Sequence, residues 1–246
     1  MRNAETISMY LRDLSINVSP DAKLPDGFSR REFHSSIHAA QEIFLSSMPR
    51  KYVLDGTGKT NLTFGPSGGR PRYRRLLNVN EYFVEDFDFV AHTIADTRYR
   101  DEMILVAIET SLLDIASKFD ADPEPIQKAI SYTRSCGCER RGVLPRLSRL
   151  TKSRRLKLNV FRHIFHGGES WGIEITNRKG ELLETVWIAE KTDWLRARYN
   201  YRRSILKGDK FVILDWIGRE VYKLDAGKLE ARLLPPLRLI RRGRSV

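Results

Sequence analysis

The sequence predicts an α+β protein: a mixed helix/strand first part followed by a mainly antiparallel β meander. Three observations carry that expectation. Up to about Ser135 the long apolar stretches repeat every three or four residues, whereas beyond Leu156 the period changes to two. Turn sequences punctuate the later half, at His166-Gly-Gly, Asn177-Arg-Lys-Gly180 and Gly218. Charge divides at the same place. Through Cys138 there are 17 Lys and Arg against 19 Asp and Glu, and beyond it 26 against 12, so the net +12 resolves into −2 and +14. The expected organisation is an α+β part with three helices over residues 1–138 and a basic, β-rich part over residues 139–246, either as two domains or as one continuous domain.

Alternating residues predict strands at Ile7–Leu11 and Leu14–Val18. Ser29-Arg-Arg-Glu32 is a capping box, in which hydroxyl and carboxylate satisfy free amides at a helix start. Phe33, Ile37, Ala40, Phe44 and Met48 then mark a helix that Pro49 closes. Asp55-Gly56, between Tyr52-Val-Leu and Asn61-Leu-Thr-Phe64, predicts a hairpin. Tyr73 to Phe89 is expected to be one strand. Ile104, Ile108, Leu112, Ile115 and Phe119 give a second helix, capped by Asp96 or Thr97, and Asp122-Pro123 starts a third that runs to about Ser135. Arg140 to Arg155 is expected to be a connector. Strands follow at Leu156–Phe161, Trp171–Ile175, Leu182–Ile188, Phe211–Trp216 and Glu220–Leu224, with a short helix at Thr192–Tyr201.

At 246 residues and 41% hydrophobic content the chain can bury its own core. No apolar run approaches the roughly 18 to 20 residues that cross a bilayer. No signal-peptide core is visible, and Cys136 and Cys138 do not form a disulfide framework, so the expected location is cytoplasmic.

Several motifs invite a chemical reading and fall short of it. Gly56-Thr-Gly-Lys-Thr60 resembles a phosphate loop, but the position five before Gly58 is Val53 and the following segment is strand-like. His34 and His38 have zinc-ligand spacing without the glutamate of a metalloprotease or a third ligand. Glu81, Glu85, Asp86 and Asp88 could gather Mg²⁺ for phosphodiester cleavage, but lack a lysine or histidine at fixed spacing. No cofactor, metal or catalytic residue is expected.

The basic stretches remain. Arg140, Arg141, Arg146, Arg149, Lys152, Arg154, Arg155, Lys157 and Arg162 fall in a 23-residue window without a carboxylate. Trp194, Arg196, Arg198, Tyr199, Tyr201, Arg202 and Arg203 interleave arginines with flat rings, and Arg238, Arg241, Arg242 and Arg244 follow in the tail. Arginine predominates, which suits bidentate contacts to carboxylate or phosphate. The expected partner is therefore an acidic protein or, alternatively, RNA or DNA, and not a membrane.

Glu85-Asp-Phe-Asp-Phe-Val90, followed by the amphipathic stretch Arg100 to Phe119, resembles the layout of immunity proteins of bacterial polymorphic-toxin systems. The resemblance covers roughly residues 73–135 and implies a non-catalytic protein that neutralises a toxin by covering its working surface. The chain departs from the common case in being basic.

Overall fold

The computed structural model describes residues 9–166, 168–192 and 200–234. Among them are five helices and twelve strands, helices early and antiparallel sheets late, so the fold is α+β. The chain forms two compact units. The first comprises residues up to Arg140 together with Ile164–Gly168; the second comprises Arg141–His163 and the chain from Glu169 onward.

In the first unit β1 (Asp13–Val18) pairs in parallel with β2 (Lys59–Phe64), which pairs in parallel with β4 (Val79–Val84); β3 (Tyr73–Leu76) is antiparallel to β4. The connection between β1 and β2 is α1 (Arg30–Ser47), the helical crossover that parallel neighbours require. Its capping box is present: Glu32 N donates to Ser29 Oγ at 3.2 Å, and Ser29 N to Glu32 Oε2 at 2.7 Å. Met48 adopts ψ 143°, the extended backbone that a following proline imposes. The buried face of α1 (Phe33, Ile37, Ala40, Ile43, Phe44) shares a core with Leu14, Ile16, Leu62 and Phe64 of the sheet. The same core takes in Ile104, Ile108, Leu112 and Ile115 of α3 (Thr97–Lys118) and Ile126 and Ile130 of α4 (Glu124–Ser135).

Three expectations for this unit are corrected. Asp55-Gly56 does not join a hairpin, because both edges of β2 are taken by β1 and β4. Instead Thr57 N and Oγ1 donate to Asp55 Oδ1 at 2.9 and 2.7 Å, a local turn that delivers the chain into β2. Tyr73 to Phe89 is not one strand. Leu77 takes φ +54°, the turn position usually given to glycine, and folds β3 onto β4. Asp88 then caps the short helix α2 (Phe89–Ile94), accepting from Ala91 N at 2.8 Å. Of the predicted opening strand only its end is described: Met9 and Leu11 donate to the carbonyls of Gly56 and Tyr52, and the ladder starts at Asp13.

The second unit is built on β7 (Leu156–Phe165) and β8 (Gly168–Asn177), with β9 (Leu182–Thr192) beyond β8. The predicted connector Arg140 to Arg155 instead supplies two short strands to β7, namely β5 (Arg140–Val143) and β6 (Arg149–Leu150). A second sheet runs β10 (Arg203–Lys207), β11 (Lys210–Leu214), β12 (Glu220–Asp225), all antiparallel, and leads into α5 (Ala226–Leu233). Leu158, Val160, Trp171, Ile173, Ile175, Phe211, Ile213 and Leu229 form the core. Gly172 is required by packing: a Cβ there would lie 2.5 Å from the Phe161 ring, closer than carbon atoms approach. The short helix expected at Thr192–Tyr201 falls largely outside the described residues. Among the described residues, no helix is long and apolar enough to cross a membrane.

Candidate interface for an acidic partner

Six carboxylates of the second unit pair with its own cations. Arg162 forms a two-pronged pair with Glu169, its Nε donating to Oε2 at 2.9 Å, and Trp171 Nε1 donates to the same oxygen at 2.9 Å. Arg141 pairs with Glu174 at 2.7 Å and stacks 3.8 Å over the Phe161 ring. Arg232 takes Glu184 at 2.6 Å, Arg219 takes Asp215 at 2.9 Å, and Lys207 takes Glu220. Arg155 lies 3.6 Å from Glu230, which also accepts from Ser153 Oγ at 2.6 Å. Asp225 is occupied in capping α5, accepting from Lys228 N at 2.9 Å. Backbone and guanidinium hydrogen bonds outweigh burial at Asp215 and hold its pKa below the usual carboxylate value.

Some of the remaining cations lie along one edge of this unit. Ser204 Oγ donates to Leu147 O at 2.7 Å, and Arg149 donates to Ser204 O at 2.8 Å, so residues 146–149 lie beside the start of β10. Two stretches more than fifty residues apart in sequence thereby meet, Leu147 and Arg149 with Ser204, which brings the segment holding Arg146 to the start of β10 after Arg202 and Arg203. Farther along β10, Lys152, Ser153 and Arg155 border a pocket together with Leu206 and Gly208. The result is a cationic ridge. Among the described residues, no hydrogen bond or ion pair engages the side chains of Arg146, Lys152, Arg154, Arg202 or Arg203, and all five residues are exposed.

Other members of the expected set have different places. Arg140 belongs to the first unit, donating to Ser46 Oγ at 2.8 Å and lying 5.8 Å over the Tyr132 ring. Arg149 is committed to carbonyls of Arg146, Ser148 and Ser204. Tyr201 is buried, its ring 4.5 Å from that of Trp171, so it offers no open face for stacking; burial, then the nearby Glu169 charge, raises its hydroxyl pKa. Trp194, Arg196, Arg198 and Tyr199 lie outside the described residues, as do the tail arginines. Arg178 was not anticipated. Its guanidinium donates to the carbonyls of Arg154 and Ser153 at 2.9 and 3.3 Å, and nothing in an isolated Asn-Arg-Lys-Gly turn signals that contact.

The acidic group considered for a nuclease is dispersed among separate tasks. Glu81 pairs with Arg74 and accepts from Thr63, Glu85 accepts from Ser67 N, and Asp88 caps α2. Among the described residues, no three His, Cys, Asp or Glu side chains are grouped to hold a metal ion. Lys59 of the glycine-rich turn sits 3.4 Å from Asp13 at the start of a strand, not at a helix N-terminus.

Two polar features of the first unit carry chemistry without a ligand. His92 is fully buried among Phe28, Phe33 and Phe87, neither ring nitrogen has a hydrogen-bond partner, and burial reinforced by Arg100 lowers its pKa to about 4. Asp101 meets His166 Nδ1 at 3.1 Å while His166 Nε2 is 3.1 Å from Gly137 O; burial raises the Asp101 pKa against the opposing pull of His166. Cys138 lies near the same carboxylate, and desolvation followed by the Asp101 charge pushes its thiol well above the usual range, leaving it a poor nucleophile.

No protein-family model, curated protein or solved structure matches this chain.

Proposed function

We propose that the chain is a non-catalytic binding protein whose second unit docks onto an acidic protein surface, in the manner of a toxin-neutralising immunity protein. One observation carries this reading. Glu169, Glu174, Glu184, Asp215, Glu220 and Glu230 of this unit are paired with its own cations, while among the described residues Arg146, Lys152, Arg154, Arg202 and Arg203 have no ion pair or side-chain hydrogen bond. Such a ridge attracts a negative surface over several ångströms, and its arginines can grip carboxylates bidentately once contact is made. Cytoplasmic residence fits this reading, since Cys136 and Cys138 are free thiols.

RNA or DNA is the second reading, and a specific feature favours it. Trp216 is 66% exposed at the turn between β11 and β12, at the end of the sheet where Arg202 N donates to Leu214 O. An exposed ring beside arginines can stack a base.

Co-purification from the native host separates the readings. Wild type is expected to retain an acidic protein that Arg146→Glu/Arg203→Glu loses. Titration with mixed RNA and DNA between about 50 and 200 mM salt is the counter-test. Tight, steeply salt-dependent binding there, with no acidic protein retained, overturns the protein-partner reading.

A further inference from the structure

Cys136 and Cys138 belong to the first unit and have no part in the basic ridge. A specific backbone device at the end of α4 brings them together. Cys138 N donates to Thr133 O at 3.2 Å and Gly137 N to Arg134 O at 3.0 Å, the hydrogen-bond pair of a Schellman motif. Gly137 takes the φ of +60° that the motif requires. Cys138 follows at φ +53°, a left-handed conformation that a non-glycine residue keeps only when its surroundings hold it. The chain thus doubles back over the last helical turn. Cys136 Sγ donates to Thr133 O at 3.3 Å and Cys138 Sγ approaches the same oxygen at 4.0 Å, so both sulfurs converge on one carbonyl. Across one left-handed residue the flanking Cα atoms lie roughly 5.5 Å apart, within the span a disulfide bridges.

The two thiols have different surroundings. Cys136 is half-buried, whereas Cys138 is 2% exposed and its thiol is hydrogen-bonded to the Asp101 side chain. Asp101 meets His166 Nδ1 at 3.1 Å, and His166 Nε2 is 3.1 Å from the carbonyl of Gly137, between the two cysteines. A carbonyl only accepts, so Nε2 carries a hydrogen; Nδ1 and Asp101 then share a further proton between them. Burial raises the Asp101 carboxyl to about 6, which lets it take and return a proton near neutral pH. An accessible thiol, a protected thiol beside it and a proton acceptor on the protected one are the parts that thiol–disulfide exchange uses.

We propose that Cys136-Gly-Cys138 is a redox site that exchanges with low-molecular-weight disulfides and closes to an intramolecular disulfide. The Cys136 thiolate attacks one sulfur of the incoming disulfide. That S–S bond breaks, and the thiolate that leaves takes up the proton Cys136 lost. Asp101 next accepts the Cys138 proton, and the Cys138 thiolate attacks Cys136 Sγ. The mixed disulfide breaks, and the second thiolate leaves with the proton that Asp101 held. The small disulfide is thereby reduced to two thiols while the cysteine pair is oxidised. Cys138 is the resolving thiol because burial keeps an outside disulfide from it. In a reducing compartment such a bond is transient and senses an oxidising shift.

The test equilibrates the full chain with mixtures of reduced and oxidised glutathione, quenches in acid and maps the products by mass spectrometry. Wild type is expected to lose two hydrogens from the peptide spanning Cys136 and Cys138 and to retain no glutathione. Cys138→Ser is expected to accumulate glutathione on Cys136, and Cys136→Ser to react at least about tenfold more slowly than wild type. Rapid quenching separates the two steps. Asp101→Asn and His166→Gln, each checked for folding by circular dichroism, are expected to form the mixed disulfide at the wild-type rate. Both are expected to resolve it at least about tenfold more slowly. A wild type that keeps both thiols in oxidised glutathione alone, or that retains glutathione on both cysteines, overturns the proposal. So does a Cys136→Ser chain that reacts as fast as wild type. Resolution at the wild-type rate in both folded Asp101→Asn and His166→Gln overturns the proton route.

Discussion

Buried carboxylates are stabilised differently in the two units. In the first, Asp55 accepts from the neutral groups of Thr57, Tyr73 and Asn80. Burial alone would raise the Asp55 pKa, yet those hydrogen bonds outweigh it and the net shift is downward. In the second unit the buried carboxylates lean on arginines: Glu169 on Arg162 and Asp215 on Arg219. A neutral donor satisfies an acid and leaves its charge; a guanidinium removes the charge as well. Pairing of this kind neutralises those carboxylates within the second unit.

The sharpest way to break this comparison is to remove one guanidinium from a buried pair. Arg162→Ala removes a guanidinium from Glu169, which is 1% exposed, and should cost about 3–5 kcal/mol in denaturant unfolding. A loss under about 1 kcal/mol would show that the pair does not matter to the second unit. The first unit is probed by acid. The folded pKa of His92, about 4, lies below its ordinary 6.5, so its contribution is full at neutral pH and is lost as pH falls from about 6.5 towards 4. The loss amounts to at most about 3 kcal/mol. Asp101 works in the opposite direction: its raised pKa gives stability at low pH that is lost as pH rises. His92→Leu should therefore flatten the acid-side slope of unfolding free energy, and Asp101→Asn should steepen it.

Smaller effects sharpen the contrast between neutral and charged partners. Tyr73→Phe removes the 2.7 Å hydrogen bond to Asp55 and should cost about 1–2 kcal/mol, as urea midpoints would show. Ridge cations without partners should matter least to stability. Arg146→Ala and Lys152→Ala are expected to stay within about 0.5 kcal/mol of wild type, and a larger loss would reveal a structural task for the ridge.

The first helix was legible because its signals are local: Ser29 and Glu32 meet within one turn, and Phe33 to Phe44 repeat with the helical period. Asp96 was legible as a cap for the same reason, accepting from Tyr99 N; Asp122 accepts from Glu124 N, but the cap position of α4 is Pro123 and not Asp122 as expected. Asp55-Gly56 misled because a turn signal specifies a bend and not the strand it bends towards; β2 found its partners at β1 and β4. Leu77 misled because a leucine at φ +54° contradicts local preference and is held only by the pairing of β3 with β4. Of the candidate site, the basic stretches were visible as composition. Which arginines were already engaged was not.

By itself, the sequence determined the α+β class, the capped helices, the late antiparallel strands and the unequal placement of charge, because periodicity, capping and composition act within a few residues. Tertiary structure alone decided which cations remain available. Arg155 meets Glu230, Arg149 meets Ser204 and Arg178 meets Arg154 across separations that no local pattern spans. The physical reason is that an ion pair depends on distance in space, and the closure of the sheets sets that distance.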